Sequence, residues 1–207
     1  MEQTVKRTKR EVVQESLNGA IAYEDYRLMV ANLAIEGKST GTVQSQELGN
    51  YTVLNDQRMK RLDKTIKIDA VSELKIKEVD QKITWLVLTE SWCGDAAQTI
   101  PVMNKIARLN KNISLRLVLR DENLELMEQF LSNGAMAIPK LISIDEATGR
   151  IIGEWGSRPS IASKMVQDYK KKHGTLSPEF KQNLQIWYNK DKGQNTVSDL
   201  LSLLFLE

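Results

Sequence analysis

Ile83-Thr84-Trp85-Leu86-Val87-Leu88-Thr89-Glu90-Ser91-Trp92-Cys93-Gly94-Asp95 runs from an apolar segment into a short polar turn that carries the chain's one cysteine. Its first seven residues are β-branched, aromatic and almost all apolar, the pattern of a strand buried on both faces. Beyond Asp95, Ala96, Ile100, Met103 and Ala107 recur at helical spacing, and Lys111-Asn112 ends that run. A cysteine therefore stands between the end of a buried strand and the start of a helix.

Downstream, residues 113–119 read as a second strand, with Leu115, Leu117 and Leu119 on one side and Arg116 and Val118 on the other. Residues 123–131 read as a short helix closed by Asn133-Gly134 in a left-handed stop. Residues 138–144 are a third strand with Pro139 near its start, 145–149 a hairpin turn and 150–155 a fourth strand. A helix follows from Ser160 to His173, and two more occupy 178–189 and 196–206 with Gly193 between them. A strand–helix–strand unit crosses over right-handedly and pairs in parallel, whereas the tight final turn enforces an antiparallel pair. The expected class is α/β: a central mixed sheet with helices on both faces and extra helices at both termini.

Upstream, residues 1–64 read as a helical, charge-rich extension. Tyr23, Tyr26, Met29, Val30 and Leu33 form one apolar stripe; Leu48, Tyr51, Asn55, Met59 and Leu62 form another, with Gly37-Lys38-Ser39-Thr40-Gly41 as the loop between. Both stripes are expected to pack on the main domain, and the alternative is a homodimer interface. Thr65-Ile66-Lys67-Ile68 alternates like a short edge strand. The organisation expected is a helical extension (1–64), a sheet domain (65–175) and a C-terminal helical extension packed on it (176–207).

With 41% hydrophobic and 27% charged residues the composition is that of a globular protein. A formal net charge of +2 supplies no general attraction to nucleic acid. The cluster Lys170-Lys171-Lys172-His173 reads as a solvated helix end rather than a phosphate or membrane patch. No apolar run reaches spanning length, so no membrane partner is expected. The polar, mixed-charge residues 1–15 do not form a secretory leader, and the expected location is the cytoplasm. One cysteine and one histidine exclude an intrachain disulfide and Cys- or His-rich metal sites, so no metal and no cofactor is expected.

Trp92-Cys93-Gly94 at a strand-to-helix junction, Pro101 eight residues after the cysteine, and Ile138-Pro139 ahead of an antiparallel hairpin together resemble the thioredoxin superfamily. The resemblance covers roughly residues 80–172. The run Thr89-Glu90-Ser91-Trp92-Cys93-Gly94-Asp95-Ala96 and the helical N-terminal region resemble a group of bacterial thioredoxin-family proteins. The resemblance implies that Pro101 kinks the active-site helix and that Pro139 is the cis-proline beside the active cysteine. Glu90, Trp92 and the backbone of Ile138 are expected to line the approach to sulfur, with Gly94 and Asp95 as further active-site neighbours.

The departure is Ala96, which stands where thioredoxins carry the second cysteine of Cys-x-x-Cys. In dithiol exchange that second thiol resolves the mixed disulfide. With Ala96 any resolving thiol must come from another molecule, so the resemblance implies a protein disulfide or a low-molecular-weight thiol adduct as partner. Monothiol glutaredoxins do this chemistry on the same fold. A thiol at a helix N-terminus is expected to ionise below the free value of about 8.5, with Asp95 opposing that shift as a like charge. Asp95 is equally an ordinary first-turn acid. Arg120, at the carboxyl end of the second strand, is expected to favour the thiolate, to bind an anionic substrate, or to pair with Asp121 or Glu122. Trp92 caps the domain edge in the structural alternative, and His173 is read as a helix end, not a base. Single-thiol exchange through Cys93 competes with a catalytically inactive binding or scaffold module. A peroxidase is disfavoured, since Glu90 stands where peroxiredoxins carry Thr or Ser.

Overall fold

The computed structural model describes residues 7–205. β1 (Ile83–Thr89) is buried at every position, as its unbroken apolar run requires. It lies inside a four-stranded sheet of order β2-β1-β3-β4. β2 (Ile113–Leu119) runs parallel to it, and β3 (Lys140–Asp145) and β4 (Ile151–Gly156) continue the sheet antiparallel. The parallel pair is joined through α5 (Gly94–Ala107), whose buried residues include Ile100, Met103 and Ile106. The fold is the mixed, helix-covered α/β sheet expected, with added helices at both ends.

Four helices precede the sheet: α1 (Lys9–Asn18), α2 (Tyr23–Glu36), α3 (Gln46–Thr65) and α4 (Ala70–Lys77). The expected extension begins at residue 1, and its first six residues lie outside the described ones. On α2 the buried residues are Tyr23, Tyr26 and Val30, with Met29 and Leu33 half-buried. On α3 the buried face is Thr52, Asn55, Asp56, Met59 and Leu62, while Tyr51 is exposed. That face is turned from the apolar stripe because the upper half of α3 sits on a polar turn, residues 89–91, rather than on aliphatic core.

Residues 65–68 do not form the edge strand. α3 runs through Thr65, Ile66 turns into the core, and the Asp69 carboxylate caps α4 by accepting from Val71 N and Ser72 N at 3.0 Å each. The free edge of β2 is met instead by Ile21, which exchanges two 2.9 Å backbone hydrogen bonds with Leu117. The short helix α6 (Leu124–Gln129) also ends sooner than expected. Asn133 and Gly134, at φ of 51° and 76°, make the tight turn of a Ser132–Ala135 bridge and do not stop a helix.

α7 (Ser160–His173), α8 (Pro178–Asp191) and α9 (Gln194–Leu204) close the chain. The expected helix end at residue 206 lies outside the described residues. Val197, Leu200 and Leu203 of α9 join the main core. α7 and α8 instead bury Ala162, Val166, Phe180, Leu184 and Tyr188 in a separate small cluster. Among the described residues, no helix is long and apolar enough to cross a membrane.

Candidate functional site

Cys93 is the N-cap of α5, in extended conformation. The turn that delivers it is closed by Cys93 N donating to Glu90 O at 3.1 Å. Its Sγ accepts from Ala96 N at 3.4 Å and donates to Ile138 O at 3.3 Å. The Ile138-Pro139 peptide is cis. Sulfur, helix mouth and proline loop are thus in direct contact, with Ala96 buried where a second thiol would stand.

The thiol is only 8% exposed. Burial pushes its pKa up to about 12, and the Asp95 charge adds to that rise. The Ala96 and Asp95 backbone N–H groups and the Arg158 guanidinium pull the other way but do not prevail. The expected lowering is therefore overturned: the helix mouth does favour the thiolate, but loss of water costs the ion more.

Asp95 is buried beside the sulfur, not a solvated first-turn acid. Its Oδ1 accepts from the Tyr188 hydroxyl at 2.9 Å and its Oδ2 pairs with Arg158 Nη2 at 2.7 Å. Burial raises its pKa, against the opposing pull of Arg158, Tyr188 and Arg58. Tyr188 comes from α8 and Arg158 from the segment after β4, so this carboxylate ties both of those segments to the active-site helix.

Glu90 does not line the approach to sulfur. Its side chain is 0% exposed and points under the 39–41 loop. One carboxylate oxygen accepts from the Thr40 hydroxyl and the other from Asp121 N at 2.9 Å. Burial raises its pKa as well. Next to it, Ser91 accepts from Thr40 N at 2.9 Å and shares a 2.9 Å bond with Thr52, and Ser91 O accepts from Asn55 Nδ2 at 2.9 Å. This polar knot fixes the N-terminal helices to the strand end that carries Cys93.

Arg120 is paired with Asp121 at 2.8 Å and lies 4.9 Å over the half-buried ring of Trp92. Its cation is committed to that stacked pair. A β-carbon at Gly94 would stand 3.2 Å from Arg58 Nη1 and 3.6 Å from Gln185 Nε2, so glycine leaves room for both. Gln185 in turn accepts from Gln98 at 3.0 Å.

The residues missed by sequence reasoning are Thr40, Asn55, Arg58, Arg158 and Tyr188. Asn55 carried a signal, being a polar residue inside an apolar stripe. Arg158 and Tyr188 lie far along the chain in segments whose pattern gives no hint of Asp95. Among the described residues, no three of His, Cys, Asp and Glu converge as a metal-binding group.

A family model described as Thioredoxin (Thioredoxin_9) matches residues 41–170. A protein described as an HIV epitope-scaffold, 4E10, is similar in structure, with a TM-score of 0.56 and 18% identity over 89% of this chain and 98% of that one. A protein of unknown function from Pseudomonas aeruginosa is similar at a TM-score of 0.52 and 19% identity, over 89% of this chain and 97% of its own. These two likenesses concern the fold. The curated proteins contain no significant match.

Proposed function

The chain belongs to the thioredoxin family, and from that premise we propose that Cys93 carries out single-thiol disulfide exchange with an external resolving thiol. The observation that supports this is the sulfur held at the mouth of α5 against Ile138 O, where an incoming disulfide replaces the S–H to carbonyl bond. Cys93 attacks one sulfur of R–S–S–R. The Sγ–S bond forms, the S–S bond breaks, and the departing RS⁻ takes up the proton that Cys93 gives up. A second thiol then attacks the R-group sulfur, releases a new disulfide and returns the Cys93 thiol.

The resting sulfur is protonated and buried, and Asp95 beside it is held by Tyr188 of α8, so exchange is gated. Movement of α8 admits water and removes the leading cause of the raised pKa. The Ala96 and Asp95 N–H groups then remain to hold the thiolate.

The test is release of pyridine-2-thione when the full chain meets 2,2′-dithiodipyridine. A mass adduct on Cys93 should follow, and added thiol should remove it. A rate no greater than that of Cys93→Ser overturns the reading. The burial of the thiol favours a second reading, an inactive thioredoxin-fold binding module. In that case Cys93→Ser retains full activity in cells.

A further inference from the structure

The cations around the sulfur divide into two sets. Arg120 and Arg158 are committed to Asp121 and Asp95. By contrast, Arg58, Arg61, Lys67 and Lys192 have no carboxylate within 4.0 Å among the described residues. They follow one seam. Arg58 is half-buried next to Gly94, the residue after the thiol, and gives one hydrogen bond of 2.9 Å to Asn55 Oδ1. One helical turn along α3, Arg61 enters the wall of a cavity of about 390 Å³ that Lys67 and Lys192 also line, and no acidic residue lines it. Tyr188 forms a further part of this wall, and its hydroxyl is the one bonded to Asp95 beside the sulfur. Tyr188 therefore connects the cavity to the carboxylate beside the thiol.

Two guanidiniums in proximity oppose each other's charge: burial lowers the pKa of Arg58 most, the charge of Arg61 lowers it further, and Asp95 pulls the other way. An anion seated between them relieves that opposition. Arginine forks match carboxylates in geometry as well as charge.

We propose that the seam of Arg58, Arg61, Lys67 and Lys192 binds the carboxylates of the substrate, so that Cys93 prefers small disulfides bearing negative charge. This rests on the exchange reading above. The disulfide's sulfur reaches Cys93 while its carboxylate arm lies along α3 towards the cavity. The attraction acts before the S–S bond is touched, so it raises the rate of productive encounter.

The experiment compares size-matched reagents, 3,3′-dithiodipropionate (anionic) and cystamine (cationic), with 2,2′-dithiodipyridine as the neutral reference. Rates are read on the full chain by intact mass, each divided by the protein's own neutral rate. An unstructured cysteine peptide gives the intrinsic reagent ratio. At low salt the protein's anion-to-cation ratio should exceed the peptide's by about tenfold or more, as focusing by clustered charge provides. It should collapse towards the peptide's ratio at about 1 M salt, where screening acts within ~3 Å. Arg58→Gln should lower the ratio. Arg61→Gln with Lys192→Gln should do so too, and these exposed side chains make no internal hydrogen bond that folding depends on. A ratio equal to the peptide's while the neutral reagent still reacts overturns the anion preference and leaves exchange standing. Failure of all three reagents overturns the exchange reading itself, and the preference with it.

Discussion

Tyr188 and Asp95, 93 positions apart in sequence, are joined by a buried 2.9 Å hydrogen bond in which the tyrosine hydroxyl donates to the carboxylate. It connects α8, whose apolar cluster is separate from the main core, to the helix that begins at the thiol. Tyr188→Phe keeps the ring and removes the donor. A lost hydrogen bond to a charged group costs about 1.5–3 kcal/mol, and the variant should unfold at correspondingly lower urea concentration. Alkylation of Cys93 by iodoacetamide should accelerate at the same time, because α8 is held less firmly. An unchanged alkylation rate would show that α8 does not gate the sulfur.

The pH dependence follows from the direction of the thiol's shift. The folded pKa of about 12 lies above the ordinary 9.0, so the folded state holds the proton more tightly than the unfolded chain. The stability this contributes is complete below the ordinary value and is lost as pH climbs from there towards the folded value. Wild type should therefore lose stability faster than Cys93→Ser above about pH 9. Near pH 7, iodoacetamide should modify Cys93 roughly a thousandfold more slowly than an unstructured thiol of the ordinary pKa of 9.0. Asp95→Asn removes a like charge and should move the alkylation profile to lower pH. A wild-type profile that levels off below pH 9 contradicts the account.

β1 and α5 were legible because each carries one pattern throughout: an unbroken apolar run with seven buried positions in β1, and helical spacing of Ala96, Ile100, Met103 and Ala107 along α5. The contact between Cys93 and Ile138 was legible only through family resemblance, since no local pattern brings those two residues together. Residues 65–68 alternate like a strand, but Ile21 takes the edge they would need and Asp69 starts a helix at once. Glu90 was misread because proximity in sequence says nothing about side-chain direction at a strand end. The sign of the thiol shift was missed for a related reason. The helix mouth is visible in sequence, whereas the burial of the sulfur in the folded chain is not.

Thr40 tests the polar knot. Its hydroxyl donates to Glu90 and accepts from Ser91 N at 2.8 Å, in a fully buried setting. Thr40→Val is nearly isosteric and leaves both groups short of a partner, a loss of about 1–3 kcal/mol. Glu90, its pKa already raised by burial, loses a donor that held it down and rises further. A carboxyl raised in this way opposes folding when ionised, so the deficit should be largest near neutral pH and shrink on acidification as Glu90 takes a proton. Chemical denaturation of both proteins at pH 7 and pH 5 measures this. A deficit independent of pH would mean that Glu90 does not depend on Thr40.

Gly156 sits where β4 ends against the proline loop, at φ +129°, and a β-carbon there would collide with the carbonyl oxygen of Pro139. Gly149 also has positive φ, at +66°, but its neighbours are the flexible ends of Arg10 and Gln14. Alanine at the two positions separates backbone strain from a backbone collision. Gly149→Ala should cost about 1–2 kcal/mol, the ordinary penalty of a left-handed alanine. Gly156→Ala adds an overlap that only displacement of the Pro139 loop can relieve, raising the loss to about 2–4 kcal/mol. That displacement carries Ile138 O away from the sulfur, so only Gly156→Ala should also change the rate at which Cys93 is alkylated. Equal stability losses with unaltered alkylation in both variants would mean that the loop does not depend on the missing side chain at residue 156.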